Sequence, residues 1–528
     1  MGSKKQILHA FCFPVFSTKI FFFPLLKIFK MNKIIMICLL FTAFIDSSAQ
    51  ETFFKVYPTS SCQSFFSVVE TNDSHLIICG WLNSIPGSNN YNGNLTKMNM
   101  QGDIISNSLH NYNYGKSIYS SLRKSPEIEG SYYLLGSKDS VAGNTTYNSL
   151  FVNSINNNLE TTVVREYGKW HTEYNKPEYF EILNDSLAYI ASIRYSEFNY
   201  VNDYSILRIN LNDSNDSTYF FPVNNYSRTP TGLSYIESEN VLKLNYFGWS
   251  SPNPGASPNV IVNFDPNLNL QNVTTPGYQF TFNTRMSISS DTSYYLSGPY
   301  HDFFSNEKVL GIAEYSNQDT LLDVTYFEPK IDTVTSPGAG ESILKTSQNV
   351  WVVGIYNFDV NYHPWTNSPY WIQLNKLSHS LELQAQYYYG GDGVYVPYDI
   401  TETSSHHIVI VGSYYNPNAL PHTYKNDPFV LKVNSEGLIV NTQNHELPQV
   451  HEAIVVPNPG KEFLAVKLAI QHHAAVLQLF DIGGRLLLTE QINTDMQQVN
   501  TSALPAGVYP YRITAGNRII GWGKWVKE

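Results

Sequence analysis

Ten charged side chains recur, one or two at a time, in short segments roughly 55 residues apart: Glu70, Arg123, Lys124, Glu181, Glu237, Arg285, Glu341, Lys345, Asp399 and Glu402. The segments are 65–71, 119–125, 177–183, 232–237, 285–290, 341–346 and 398–403. If a fold brought them round one axis, paired carboxylates could perform acid/base work on a glycosidic bond. The same residues would also simply solvate a wet channel. The adjacent His406 and His407 do not make a metal site, because neighbouring strand residues point to opposite faces. The chain holds no GxSxG, HExxH, P-loop or EF-hand pattern. No catalytic residue, metal ligand or cofactor is assigned, and the reading leans away from an enzyme.

The elements that must position these residues repeat. An apolar strand ending in a small residue occurs as His75–Gly80, Tyr132–Gly136, Leu187–Ser192, Val241–Asn245, Tyr294–Gly298, Val350–Gly354 and Ile408–Gly412. Each leads through a polar loop to a second strand, such as Asn94–Asn99 or Pro428–Asn434, then to a turn and a third strand. One further strand precedes each anchor. Four antiparallel strands repeated seven times predict an all-β body, a seven-bladed β-propeller over 51–446. A string of β-sandwich modules is the alternative. Thr52–Tyr57 reads as a closing strand for the last blade. Tyr387–Tyr389, Tyr414, Tyr415 and Trp365 fit packing between blades better than an exposed sugar platform.

The ends of the chain speak of destination. Met31-Asn32-Lys33, an apolar run Ile34–Ile45 and Ser47-Ser48-Ala49 read as a secretory signal peptide over 31–50, too short to span a membrane. Residues 1–30 read as an upstream extension, with Met31 as the true start; a long, two-part leader is the alternative. Without residues 1–50 the chain keeps 27 Lys/Arg against 43 Asp/Glu, a net of −16. That balance argues against nucleic acid as a partner, and the mature chain has no transmembrane span. Only Cys62 and Cys79 survive maturation; they flank a hairpin and are a disulfide candidate in an oxidising compartment.

After a linker at 447–454, residues 455–528 alternate with period two and turn every 8–12 residues or so, as in a small β-sandwich. They carry Pro457-Asn458-Pro459, the hairpin Asp481-Ile482-Gly483-Gly484-Arg485, then Leu504-Pro505-Ala506-Gly507-Val508-Tyr509, and Lys524 with Lys527. These motifs, in this order, resemble the type A C-terminal sorting domain of the type IX secretion system of Bacteroidetes-type bacteria. The resemblance implies an Ig-like sandwich, recognition by the type IX machinery, and a secreted or surface-attached product. Trp525, where an aliphatic residue is usual, and Pro510, which predicts that its strand is an edge at that point, depart from the pattern.

The repeats resemble secreted bacterial propeller repeats of the form G-Y-hydrophobic-G … K-hydrophobic-N/D-x-x-G, best in Met98–Asp103 and Lys432–Gly437. That implies a fold and no fixed activity. The Asp-box turns of sialidases and the tryptophan motifs of quinoproteins are absent. Asp139-Ser140-Val141, Asp185-Ser186-Leu187, Asp319-Thr320-Leu321 and Asp332-Thr333-Val334 resemble short O-glycosylation sites of exported proteins. The sequence thus reads as a non-enzymatic glycan- or protein-binding module. A secreted polysaccharide hydrolase with carboxylates at the channel mouth is the alternative, and a structural surface component a third.

Overall fold

The computed structural model describes residues 52–83, 91–110, 116–142, 145–170, 173–196, 202–213, 215–220, 227–249, 259–275, 280, 284–290, 292–301, 308–327, 335–357, 370–416, 425–439, 453–457, 459–468, 475–481, 485–494, 496–515 and 518–528. The predicted leader, most of the linker and Trp365 lie outside them. Among the described residues strand is nearly the whole of the regular structure, with one 3-10 turn at Glu237–Glu239.

Seven antiparallel sheets follow one another between 53 and 433 among the described residues. The first runs Cys62–Glu70, His75–Asn83, Asn92–Asn99, Ile104–His110, side by side in chain order. The second runs Ser117–Lys124, Ser131–Ala142, Thr145–Asn156, Thr161–Trp170, and the third Glu173–Asn184, Leu187–Ser196, Asn202–Asn210, Ser217–Phe220. The fourth runs Ser227–Ile236, Val241–Trp249, Asn259–Phe264, Leu270–Thr274, and the fifth Arg285–Ser290, Ser293–His301, Lys308–Ser316, Leu321–Tyr326. In the sixth the leading strand is broken into Thr335–Pro337 and Ile343–Lys345, both on Val350–Tyr356, followed by Trp371–Leu377 and Leu383–Gly390. The seventh takes Val394–Glu402, Ile408–Tyr415 and Asn426–Val433, and its fourth strand is Phe53–Val56 from the start of the chain, in register Phe53 to Lys432.

Burial explains the sequence pattern. Second strands such as Leu76-Ile77-Ile78-Cys79 are covered on both faces, so they read as continuous apolar runs rather than alternating ones. Fourth strands such as Ile104–His110 are largely exposed. The apolar core is divided into slabs, each shared by adjacent sheets. Tyr119 and Phe151 of the second sheet pack with Ile77 and Leu95 of the first. Val409, Val411 and Val430 of the seventh pack with Phe65, Leu76 and Ile78 of the first in the same way. Each first strand touches the first strand of the next sheet, and the seventh touches the first. The arrangement is propeller-like, with the first strands inward.

Two local devices recur. A β-bulge interrupts the first strand at the same register in five sheets, between Phe65/Ser67, Tyr119/Ser121, Pro177/Tyr179, Pro230/Gly232 and Pro397/Asp399. The turn between third and fourth strands is held by an Asn or Asp side chain that accepts two backbone N–H groups, as at Asn99, Asn156, Asp265 and Asn434. The turn needs a left-handed residue, which is Gly102 or Gly437 in two copies but Leu159 and Leu268 in others. Leucine is costly there. Both leucines are buried in the slab below, and that packing offsets the strain.

Those turns are also the couplings between sheets. Lys97 Nζ donates to Asn157 O at 2.8 Å, Tyr189 Oη to Pro266 O at 2.8 Å, and Lys243 Nζ to Asn317 O at 2.9 Å. Thr325 Oγ1 reaches Leu381 O at 2.6 Å, and Lys376 Nζ reaches Glu436 Oε2 at 2.9 Å. Lys432 of the seventh sheet donates to Met100 O of the first at 3.1 Å.

The tail forms two sheets over one core. Ala453–Val456, Phe463–Leu468 and Met496–Asn500 make one; Leu486–Ile492, Ala475–Phe480, Gly507–Ala515 and Arg518–Lys527 make the other, in that spatial order. Leu464, Val466, Leu477, Leu479, Ile513 and Trp525 fill the space between. Ala453 is buried in that core, so the tail's first strand begins inside the stretch expected as linker. The strand carrying Pro510 is an inner one from Tyr511 onward and an edge at Pro510, as expected. Its ladder with Ala475–Phe480 starts only at Tyr511, so Pro510 has a partner strand on one side alone.

The disulfide is not made. The first hairpin sets Cys62 opposite Asn83 and Cys79 opposite Ser67, and both thiols are buried and unbridged.

Candidate functional site

Of the ten charged residues, the inner strands bring four together: Arg123, Glu181, Glu341 and Asp399. Arg123 stands on the second sheet, opposite Tyr133. Its Nη1 donates to Ser121 Oγ and Leu122 O, both at 2.9 Å, and its Nη2 pairs with Glu341 of the sixth sheet. That ion pair joins the second sheet to the sixth, which do not follow one another in the chain.

Glu341 reaches this position because the sixth inner strand is broken at Gly338-Ala339-Gly340-Glu341-Ser342. Ala339 N–H donates to Pro397 O at 2.8 Å. A Cβ on Gly340 would meet Tyr398 O at 2.2 Å, so only glycine allows the backbone so close. From the other side Arg285 donates to Gly340 O at 2.9 Å and Ala339 O at 2.8 Å. Arg285 is therefore a buried brace for the break and not a free channel cation.

Asp399 is 5% exposed and fully engaged. Its Oδ2 accepts Ser67 Oγ at 2.8 Å and Val68 N–H at 2.9 Å, and Oδ1 accepts Ile400 N–H at 2.8 Å. Ser67 Oγ in turn accepts Leu122 N–H at 3.2 Å, so one carboxylate ties the seventh sheet to the first and, through it, the second. Burial, with Glu341 nearby, raises the Asp399 pKa. Glu181, opposite Tyr189 on the third sheet, is pushed by burial up to about 7; Arg123 pulls the other way and Glu341 adds to the rise.

Arg123, Glu181 and Glu341 border a cavity of about 230 Å³. Tyr179, Leu233, Met286 and Ile343 give it apolar walls, and Ser234, Ser287 and Ser342 add hydroxyls.

The other charged candidates lie elsewhere. Glu70 is buried at the seam and accepts Ser404 N–H at 2.6 Å and Ser404 Oγ at 2.9 Å. Lys124 and Lys345 are exposed, and Glu237 starts the 3-10 turn. Glu402 pairs with His406 at 2.8 Å. His406 is a left-handed turn residue, whereas His407 is buried beside Ser405 Oγ at 2.9 Å. Tyr387–Tyr389 are half-buried, and Tyr414 and Tyr415 are buried.

In the tail the predicted sorting residues gather at one end of the sandwich. Lys527 lies opposite Gly507, and Trp525 opposite Tyr509. Lys527 is 9% exposed and its Nζ donates to Thr501 O at 2.6 Å, Ser502 O at 3.2 Å and Leu504 O at 2.5 Å. Lys524 is exposed. Tyr509 Oη donates back to Pro505 O at 2.6 Å. Trp525 is fully buried, its Nε1 donates to Pro457 O at 2.9 Å, and its ring lies against Gly460. Pro459 is exposed. Arg485 closes the hairpin on Asp481, through N–H to Oδ1 at 2.9 Å and Nε to Oδ2 at 3.1 Å. Asn458 and Gly484 lie outside the described residues.

Residues 454–528 match the family model of the secretion system C-terminal sorting domain. This chain therefore carries a sorting domain that marks it for export by the type IX route. No curated protein matches the chain in sequence.

Among solved structures it is similar to a prolyl endopeptidase at 10% identity and TM-score 0.42, over 78% of this chain and 54% of that one. It is also similar to the GH93 α-L-arabinofuranosidase of Fusarium graminearum, at 12% identity and TM-score 0.38, over 74% of this chain and 100% of that one. A third is the β-propeller domain of the trilobed protease of Pyrococcus furiosus, at 9% identity and TM-score 0.40, over 75% of this chain and 100% of that one. The chain spans about half the length of the prolyl endopeptidase. These neighbours include peptidases and a glycosidase and select no activity.

Sequence reasoning placed Arg123, Glu181, Glu341 and Asp399 on inner strands but could not group them. Two signals were readable. Gly338 and Gly340 in a strand pattern mark a break or close backbone approach. Trp525, noted as a departure, is the residue that pins the Pro457–Gly460 segment.

Proposed function

We propose that this chain is an exported, non-enzymatic β-propeller that binds a glycan or a protein at the cell surface or after release. In this reading residues 51–446 are a closed ring of seven blades, Phe53–Val56 completes the last blade, and residues 455–528 are an Ig-like sandwich read by the type IX machinery. A signal peptide ending near Ala49 takes the chain across the inner membrane first. Supporting the ring are the cyclic contacts of the inner strands and the seam bonds of Asp399 and Lys432, which repeat contacts made between other sheets.

The observation that carries the binding reading is the prior commitment of the channel charges. Asp399 is spent on Ser67, Val68 and Ile400, and Arg123 on Glu341. A catalytic carboxylate pair needs both members free to meet the substrate. A second reading, a polysaccharide hydrolase, rests on Glu181, which borders the cavity with a pKa near 7, suited to a general acid. The test is the exported full chain on a glycan array, beside a panel of chromogenic glycosides. Binding without turnover supports the first reading. Turnover abolished by Glu181→Gln overturns it in favour of the second.

A further inference from the structure

We propose that the channel cavity seats a single sugar residue bearing a free ammonium group, held by Glu181, Glu341 and the hydroxyl of Ser342. The inference rests on the glycan-binding reading above and names the class of glycan.

Charge is the first argument. Three carboxylates, Glu181, Glu341 and Asp399, surround one guanidinium, Arg123, which interacts with all three. Arg285 is turned onto the carbonyls of Ala339 and Gly340, and Lys176 pairs with Glu178 at 2.6 Å. Burial holds protons on Glu181 and Asp399, so an incoming cation is what lets Glu181 ionise and completes the balance.

The second argument is independent of charge. Ser342 borders the same cavity, is 1% exposed, and its Oγ has no hydrogen-bond partner. Buried hydroxyls are rarely left so. A primary ammonium offers three donors, matching two carboxylates and this hydroxyl. A divalent cation fits less well. Calcium asks for six to eight oxygens, and both oxygens of Asp399 already accept scaffold bonds.

Size and wall select the body that carries the ammonium. About 230 Å³ is below the ~300–1,000 Å³ of sites for drug-sized ligands. One ring fits, and a chain would have to extend out of the channel. Met286 and Leu233 line the cavity together with Ser234 and Ser287, a mixed wall that suits a ring with an apolar face and hydroxyls.

The test is calorimetric titration of the full chain with a β-linked glucosamine trimer, its N-acetylated counterpart and a lysine-containing tripeptide. The glucosamine trimer binds at least about tenfold tighter than the acetylated one, since acetylation removes the charge-assisted bonds. Glu181→Gln lowers its affinity at least about tenfold, and Ser342→Ala lowers it by a smaller factor. Equal binding of both trimers overturns the ammonium assignment and leaves the glycan reading standing. Preference for the tripeptide, or no binding of either trimer, overturns the amino-sugar inference; the glycan array then decides the broader reading separately. The comparison of trimers uses the unaltered chain, so a variant that fails to fold does not blunt it.

Discussion

Two lysines, one in the body and one in the tail, bury an ammonium, and they do so differently. Lys243, at 0% exposure, meets Asp319 Oδ1 at 3.0 Å, Asn317 O at 2.9 Å and Asn263 Oδ1 at 3.1 Å, with the Tyr294 ring centroid 5.1 Å away. Lys527 meets three backbone carbonyls of the segment 501–504. The body's lysine has a carboxylate and bridges two sheets. The tail's lysine has partial charges only and locks one loop of a single core.

The difference follows the architecture. A body whose core is cut into slabs must tie each sheet to the next, and a charge pair does so directionally. A sandwich with one continuous core needs its ends closed. The regions also differ in charge: residues 51–446 hold 20 Lys/Arg against 37 Asp/Glu, residues 455–528 seven against five. The acidic body resists self-association.

The largest expected break is Lys243→Met. It leaves Asp319 buried without its cation and should cost about 3–5 kcal/mol, read as a lower urea midpoint. Peptide-resolved hydrogen exchange should place the loss in the fourth and fifth sheets. An unchanged midpoint would remove the coupling role given to these lysines.

Lys527→Met strands three carbonyls but no carboxylate, so about 2–3 kcal/mol is expected. The loss should be confined to 453–528. If exchange rises equally in the body, the two regions are not separate in the sense argued.

Acidity sharpens the comparison further. Glu181 and Asp399 bind protons more tightly folded than unfolded. Their neutral forms therefore favour the fold: that stability is fully present below about 4, the ordinary carboxylate range, and is lost as pH rises through about 7, the value for Glu181. The midpoint of the body should fall over that interval. The fall should shrink in the double variant Glu181→Gln, Asp399→Asn; an equally steep curve in the double variant would assign it to other groups.

The smallest effect is Lys55→Ala. Lys55 pairs with Asp103 at 3.1 Å in an exposed setting and also donates to Gln101 O at 2.8 Å. A change under about 1 kcal/mol is expected, measured by the same titration. A larger one would mean that Phe53–Val56 holds the seventh sheet to the first through this contact more than through Phe53.

The sequence alone determined the local grammar. Period-two runs and small anchors specified strands, because side chains alternate across a pleated sheet. Asn99 and Asn434 announced their turns, because a short polar side chain satisfies the turn's own backbone. The order of tail motifs specified the sorting domain. Thr52–Tyr57 could be read as a closing strand, and the ladder of Phe53–Val56 on Asn426–Val433 is that pairing.

Only the tertiary structure decided which charges meet. Arg123 and Glu341 are 218 residues apart, and their pairing depends on a break braced by Arg285 and Tyr398, a sum of long-range contacts that no window of sequence contains. The hairpin register, not the presence of two cysteines, kept Cys62 from Cys79. Packing decided that Trp525 fills the tail's core and that Leu159 accepts a left-handed turn. Spacing in a chain fixes hydrogen bonds that reach a few residues, whereas the environment of a buried charge is set by every element around it.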